Sequence, residues 1–309
     1  MTRKIIIDTD PGHDDAMALM LACKSAELDV IAVTTVCGNS TIENTTRNAR
    51  FILDFIGCDD IPVYSGAAKP LRQGLVQAVV HGVSGLEGID PTGQVGLTED
   101  AVDRILNLVK SNPNEITIVT LGPLTNIALA IQKDPKTMRL VKKIVSMGGA
   151  INVAGNKNRV AEFNIFVDPE AADVVMRSPI KKTLVPLDAC NHVLMQLHDV
   201  ARINDDASRE LLNKMLVPYI ANLEKDTGEK GALMYDPLTV FYLLRPTSCQ
   251  VEEQNVQIET KGEITRGMTV VDRRKVTDGA MKNTTVVMNI ESQDFIDCFT
   301  ETLSSKERS

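Results

Sequence analysis

Asp8, Asp10, Asp14 and Asp15 place four carboxylates within eight residues, directly after the apolar run Ile5-Ile6-Ile7. Folding alone does not call for such a cluster. Negative charges crowded at a strand end repel one another, and keeping them ionised together is unfavourable unless a cation, hydrogen-bond donors or a substrate offsets the repulsion. A hard divalent metal is the simplest offset. Pro11-Gly12 turns the chain between the two carboxylate pairs, so that a strand end and the start of the next helix can aim side chains at one point. The plainer alternative is a solvated loop in which Asp14 or Asp15 caps a helix.

The elements that must position these groups read as an α/β pattern. Short apolar strands are expected at Lys4 to Asp8, Leu28 to Val36, Ile61 to Tyr64, Ile116 to Leu121, Lys143 to Met147 and Thr183 to Leu187. Helices are expected between them at Asp15 to Ser25, Thr41 to Ile56, Glu99 to Ser111 and Leu124 to Gln132. This alternation predicts an open, mainly parallel sheet with helices on both faces, a Rossmann-like core. Residues 66–97 read as a long loop and 150–165 as a second irregular segment. Ser208 to Lys225 reads as a helix, Pro237 to Leu244 as a short buried one, and Val256 to Thr260, Met268 to Asp272 and Thr285 to Ile290 as strands. Without a linker, repeat or low-complexity tract, residues 1–309 are expected to form a single domain.

In such a sheet ligands bind beyond the carboxyl ends of the strands. Five of the six predicted strands, all but Ile61 to Tyr64, are read as followed by polar or close-approach residues: the Asp cluster, Gly38-Asn39, Gly122-Pro123-Leu124-Thr125-Asn126, Gly148-Gly149 and Asp188. Any one of these is an ordinary turn; five on one rim point to a site. Carboxylates and amides suit recognition of sugar hydroxyls and oxygen coordination of calcium or magnesium. Ala161-Glu162-Phe163-Asn164 adds another acid and amide.

Composition narrows the partners. The net charge of −8 and the lack of a basic cluster argue against nucleic acid, with Lys142-Lys143 and Lys181-Lys182 read as solvated strand starts. The six cysteines are scattered, fitting reduced and mostly buried thiols, and Cys190, His192 and His198 match no standard zinc spacing. No stretch approaches a membrane span and the N-terminus does not read as a signal peptide, so a cytoplasmic location is expected. There is no Gly-x-Ser-x-Gly elbow and no phosphate-cradling glycine motif.

Taken in order, Asp8 to Asp15, Gly38-Asn39, Gly66, His81-Gly82, Leu121 to Asn126, Met147-Gly148-Gly149, Ala161 to Ile165 and Asp236-Pro237 give a chain that resembles the ribonucleoside hydrolases of the inosine-uridine-preferring type. The resemblance implies hydrolysis of the N-glycosidic bond of a ribonucleoside with a tightly bound calcium ion (Ca2+), in a homotetramer or homodimer. It implies Asp10 as metal ligand and general base, Asp15, Asp236 and the Leu121 carbonyl as further ligands, and Asp14 with Asn164 on the 2′-hydroxyl. Asp15 and Asp236 would also meet the 3′-hydroxyl, Asn156 and Glu162 the 5′-hydroxyl, while Asn39 orients the site, Met147 packs on the sugar and Asp8 organises the strand end. Where many members have His before the last metal-ligand Asp, this chain has Tyr235, leaving Tyr235 and His81 as candidates for leaving-group protonation. With no Trp, stacking of a purine between tryptophans is unavailable, which favours pyrimidine or broad specificity. Two alternatives stay open at this level: a magnesium-dependent phosphohydrolase, since Asp-x-Asp after a strand also begins that motif, and a calcium-dependent nucleoside- or ribose-binding protein without turnover.

Overall fold

Ile5, Ile6 and Ile7 are all fully buried, yet they serve two different cores: Ile5 and Ile7 face one layer of helices and Ile6 the other. That division follows from the two-residue period of a strand and requires a sheet covered on both sides. The computed structural model, which describes residues 2–78, 80–91, 100–274 and 281–305, shows this arrangement. Its strands are β1 (Arg3–Thr9), β2 (Leu28–Thr35), β3 (Val63–Ser65), β4 (Thr117–Thr120), β5 (Lys143–Met147), β6 (Lys182–Val185), β7 (Leu194–Met195), β8 (Ala232–Leu233), β9 (Cys249–Gln254), β10 (Val256–Ile258), β11 (Thr269–Val271) and β12 (Thr284–Ile290). Eight of them form the central sheet in the order β3-β2-β1-β4-β5-β6-β12-β9, parallel except for β9 against β12.

The helices are α1 (His13–Lys24), α2 (Ile42–Phe55), α3 (Ala101–Ser111), α4 (Thr125–Lys133), α5 (Pro135–Met138), α6 (Phe163–Val167), α7 (Pro169–Arg177), α8 (Leu187–Cys190), α9 (Leu197–Val200), α10 (Asp206–Thr227), α11 (Tyr235–Leu244) and α12 (Ser292–Ser304). Helices α1, α2, α10, α11 and α12 pack on the Ile5 face, and α3, α4 and α7 on the Ile6 face. Helix α1 is buried from His13 through Cys23 because α2, α11 and α12 surround it, so it carries no polar stripe.

The sheet order reverses between β1 and β4, since β2 and β3 build outward on one side and β5 and β6 on the other. A crevice opens at such a switch point beyond the strand ends. Asp8 to Thr9 and Leu121 lie at its two walls, tied by a 2.8 Å hydrogen bond from Leu121 N–H to the Asp8 carbonyl. Asn126 fixes this rim: its Nδ2 donates to Asp8 Oδ1 (2.8 Å) and the Thr35 carbonyl (2.9 Å), and its Oδ1 accepts from Ala67 N–H (2.9 Å).

The structure refines some of these expectations and corrects others. Val256 to Thr260 and Met268 to Asp272 do contain strands, but these pair antiparallel with each other outside the central sheet. The edge strand β9 carried no apolar run because four of its six residues are exposed. The run Thr183 to Leu187 ends as a strand at Val185, and Leu187 already opens α8. Lys182 is buried rather than solvated, its Nζ donating to the carbonyls of Ser178 (2.8 Å) and Asn283 (3.3 Å), and burial lowers its pKa to about 8. The start of the helix expected from Glu99, and residues 79 and 92–97 of the expected long loop, lie outside the described residues. The described parts of 66–97 contain no helix or strand. Cys23, Cys37, Cys58, Cys190 and Cys298 are buried and Cys249 is half-buried, as expected of mostly buried thiols.

Replacing Asn126 by Ala leaves Thr35 C=O, Ala67 N–H and Asp8 each one partner short, with Asp8 and Thr35 buried. The expected cost is about 3 kcal/mol, read as a lower midpoint in urea with an unchanged slope.

Candidate active site

Asp15 is the best-partnered carboxylate of the cluster. Its Oδ1 accepts from Thr9 Oγ1 (2.5 Å) and Asp10 N–H (3.2 Å), and its Oδ2 accepts from Gly12 N–H (3.0 Å) and Asn39 Nδ2 (3.0 Å). These bonds fold the Pro11-Gly12 turn over the start of α1. Asp10 is held on one side only, by Asn39 N–H at 2.7 Å from Oδ2, while its Oδ1 is buried with no hydrogen-bond partner. Asp14 Oδ1 is likewise buried without one. Asp236, in the first turn of α11, comes to the same place: Asp14, Asp15 and Asp236 each offer an oxygen within 4.8 Å of the other two. Asp10 stands outside that triplet.

The electrostatics are those of charges removed from water. Burial pushes the carboxyls of Asp10, Asp14 and Asp236 well above the ordinary range, and the neighbouring charge of Asp15 pushes each further. The first turns of α1 and α11 favour negative charge there, but not enough to compensate several carboxylates at once. Two orphaned oxygens and an all-oxygen triplet therefore fit a hard cation, and the lack of thiol or imidazole in the triplet disfavours zinc.

Two glycines make room for Asp10. A Cβ built on Gly38 would overlap Asp10 Oδ2, and one built on Gly122 would overlap Asp10 Oδ1. The rim glycines after β2 and β4 are thus close-approach positions for one carboxylate.

Above the cluster lies a cavity of about 300 Å³. Ten of the twelve residues singled out from the sequence line it: Asp14, Asn39, His81, Leu121, Met147, Asn156, Glu162, Asn164, Tyr235 and Asp236. Asp10 and Asp15 lie beneath rather than on its wall. Asn164 Nδ2 donates to the Leu121 carbonyl (2.6 Å) and approaches Met147 Sδ (3.4 Å). Glu162 accepts from Asn164 N–H (2.8 Å), Gly149 N–H (3.0 Å) and Ile165 N–H (3.1 Å), capping α6 and pinning the β5 exit. Asn156 Oδ1 accepts from Phe163 N–H at 2.9 Å. Asp8 accepts from Thr34 Oγ1 (2.5 Å) as well as Asn126, matching an organising role at the strand end; burial raises its pKa to about 7.

His81 is buried, not a solvated loop residue. Its Nε2 lies 3.7 Å from Asp14 Oδ1, and its ring stacks on Tyr219 of α10 with centroids 5.4 Å apart. Tyr235 also borders the cavity, its hydroxyl 3.4 Å from Asn191 Oδ1, and burial pushes the phenol well above its ordinary pKa. Sequence reasoning missed Ala78, Val80, Lys157 and, from α10, Tyr219, Leu223 and Thr227, which also line the cavity. The α10 residues carry no polar signature, and only the contact of α10 with the loop around residue 81 reveals them. That contact is explicit in Asn222, whose Nδ2 donates to the Val80 carbonyl (3.2 Å) and Glu87 Oε2 (2.8 Å).

This arrangement can be compared with known proteins. Residues 5–297 match the family described as inosine-uridine preferring nucleoside hydrolase. The chain belongs to that family. It is 42% identical to a pyrimidine-specific ribonucleoside hydrolase, RihA, of Shewanella woodyi, with all of both chains covered, and 43% identical to an uncharacterized protein of Schizosaccharomyces pombe, covering 97% of this chain and 98% of the other. A plant nucleoside hydrolase superposes with a TM-score of 0.92 at 33% identity, covering 99% of this chain and 100% of the other. A purine-preferring ribonucleoside hydrolase from Gardnerella vaginalis superposes with a TM-score of 0.90 at 31% identity, covering 98% of each. This nucleoside hydrolase is thus an enzyme acting on N-glycosyl compounds, with a mostly parallel eight-stranded sheet. The phosphohydrolase and non-catalytic binding alternatives are set aside.

In this nucleoside hydrolase Gly122→Ala is expected to push the Asp10 carboxylate aside with the sheet intact. Base release from a ribonucleoside should fall about 100-fold, while circular dichroism stays that of the wild type.

Proposed function

We propose that this enzyme hydrolyses the N-glycosidic bond of ribonucleosides to free base and ribose with calcium as its cofactor, acting on pyrimidine ribonucleosides or broadly on uridine, cytidine and inosine in nucleoside salvage or catabolism. The observation that carries the reading is the buried carboxylate set at the sheet switch point, with unpaired oxygens on Asp10 and Asp14 beneath a nucleoside-sized cavity. Asp10, Asp15, Asp236 and the Leu121 carbonyl would hold the ion, and calcium, when bound, offsets their repulsion and orients and acidifies the attacking water.

The chain's own residues supply the rest. Asp10, anchored through Oδ2 by Asn39, takes the proton of the water as its oxygen bonds to the anomeric carbon and the bond from that carbon to the base nitrogen breaks. The base leaves with the bonding electron pair and takes up a proton from solvent, to which Asp10 returns its own, so that one water is consumed. The transition state is oxocarbenium-like, and the surrounding carboxylates stabilise its positive charge. Asp14 and Asn164 bind the 2′-hydroxyl, Asp15 and Asp236 the 3′-hydroxyl, and Asn156 with Glu162 the 5′-hydroxyl, while Met147 packs on the ribose. Tyr235 and His81 flank the departing base. With its pKa raised, Tyr235 is a poor proton donor and serves better as a neutral hydrogen-bonding wall.

Specificity for pyrimidines is supported by the absence of Trp, by the small apolar end formed by Val80, Tyr219 and Leu223, and by the pyrimidine-specific relatives. Purine-directed relatives among the solved structures share the fold at 29–31% identity, so the fold alone does not set the base. The full 1–309 chain is read as one domain, cytoplasmic, working as a homodimer or homotetramer; no helix among the described residues is long and apolar enough to cross a membrane.

Asp10→Asn should lower turnover of uridine by about 1,000-fold or more, with a thermal midpoint near that of the wild type. Substantial remaining activity would rule out Asp10 as the base. Removal of the 2′-hydroxyl, tested with deoxyuridine, should reduce kcat/KM about 100-fold. Chelation should abolish ribose release, with calcium restoring it more fully than magnesium.

Across a panel of inosine, adenosine, guanosine, uridine, cytidine and thymidine, pyrimidine ribonucleosides should turn over fastest. Tyr235→Phe should change the uridine rate less than about threefold, whereas a loss of about 100-fold would make the phenol the proton donor.

A further inference from the structure

Helix α2 carries Asn48 in its middle, fully buried, although asparagine is a poor helix former and a polar side chain is unfavourable to bury unless it is hydrogen-bonded. Its amide reaches two other segments. Nδ2 donates one hydrogen to the Pro11 carbonyl (3.0 Å) and the other to the Ser84 carbonyl (2.8 Å), while Oδ1 is buried with no hydrogen-bond partner. Both carbonyls can only accept, so the amide nitrogen must face them. The unpaired oxygen costs stability, and the side chain therefore acts through its two donors.

Pro11 belongs to the turn between Asp10 and Asp14, and Ser84 to the loop that carries His81. Neighbouring residues complete the same joint. Ser40, just ahead of α2, donates through Oγ to the Val83 carbonyl (2.9 Å) and accepts from Asn44 Nδ2 (2.8 Å), one helical turn before Asn48. Gly85 rests on the joint itself: at its φ of +85° a Cβ would stand 3.0 Å from the Pro11 carbonyl oxygen and 3.1 Å from Asn48 Nδ2. On the other side of the turn, a Cβ on Gly12 would stand 2.9 Å from His81 Cγ. The described residues 80–91 contain no helix or strand, so the loop is placed by what it rests on.

We infer that Asn48 is a positioning residue for the reaction: by holding the Pro11 and Ser84 carbonyls on one amide, it sets the place of His81 against the carboxylate turn and so the shape of the substrate cavity between His81 and Asp14. The inference rests on the functional reading above, since it concerns the same cavity. His81 and Asp14 both line that cavity, with His81 Nε2 3.7 Å from Asp14 Oδ1, whereas Asn48 does not reach it. Asn48 acts only through the two backbone segments that it joins. Loss of its amide frees the loop to move away from the turn while the carboxylates keep their own donors from Thr9, Asn39 and Gly12.

A double-mutant cycle separates positioning from plain structural support. Asn48→Ala should lower kcat/KM for uridine about tenfold in the wild type but less than about twofold in a His81→Ala enzyme, where no ring is left to misplace. Equal losses in the two backgrounds, no loss in the wild type, or a His81→Ala enzyme of full activity would overturn the inference. Gly85→Ala disturbs the joint from the loop side and keeps every atom of Asn48. It should show the same dependence on His81, and it carries the test if Asn48→Ala does not fold. Proton NMR of the imidazole rings at one fixed pH reads the same coupling without turnover. The chain has four histidines, and His81→Ala assigns the His81 signals by difference. In Asn48→Ala and Gly85→Ala those signals should move, because the ring shifts against the face of Tyr219, while signals of the exposed His192 and His198 stay in place. His81 signals that do not move in either variant would overturn the inference even if activity falls. Because the spectra need no turnover, a wild type that released no ribose would sink the functional reading while the coupling of Asn48 to His81 was still decided.

Discussion

Everything at this site follows from keeping several carboxylates out of water in one place. Asp8, Asp10, Asp15 and Asp236 are at most 3% exposed, and Asp14 is 5% exposed, so each loses the solvation that an ionised carboxylate needs. The protein manages the group unevenly. Asp15 accepts hydrogen bonds on both oxygens, from Thr9, Asp10, Gly12 and Asn39, whereas Asp8, Asp10 and Asp14 each retain one buried oxygen without a partner. A purely structural cluster would have been satisfied throughout, because an orphaned buried oxygen brings nothing to stability. The unpaired oxygens are the positions from which a cation, a water or a sugar hydroxyl can be held.

The sheet order explains why this concentration of charge can exist at all. At the switch point between β1 and β4 the crossover helices diverge to opposite sides, so the strand ends there are not capped by a single connection. The crevice admits the loops after β1, β2 and β4 together, and Gly38 and Gly122 let two of those loops close on Asp10 from opposite sides. Helix α11 brings Asp236 from far along the chain because it packs directly on α1, which carries Asp14 and Asp15 in its first turn. Packing of apolar helix faces thus sets a charge constellation that no local segment contains.

The central sheet and the carboxylate floor of the cavity were legible in the sequence because their signals are local. Apolar runs mark β1, β2, β4 and β5, and the Asp cluster, Gly38-Asn39, the Gly122 to Asn126 turn and Gly148-Gly149 follow them. The hairpin of β10 and β11 and the edge strand β9 were harder, since pairing partners and edge position are tertiary facts and β9 is mostly polar. The wall contributed by α10 was least legible. Tyr219 and Leu223 read as ordinary core positions of α10, and it is the hydrogen bonds of Asn222 to the Val80 carbonyl and Glu87 that bring this helix over the loop carrying His81. Lys182 was misread for the same reason, because the carbonyls that bury it come from outside its own strand.

The two ends of the cavity consequently obey different physics. The floor is built from strand exits and buried carboxylates, where a Cβ at Gly122 would overlap the Asp10 side chain. The opposite wall is made of side chains from α10, the loop near residue 81 and the start of α11, held by stacking and a few hydrogen bonds. Substitution there changes size and donor pattern without disturbing the charged floor. Relatives named for purines share this fold at TM-scores of 0.89–0.90, and a relative named for pyrimidines matches along the whole chain, so the fold and its charged floor are compatible with different walls. Tyr235 stands on that wall, in the first turn of α11, with Asp236 beside it in the carboxylate triplet.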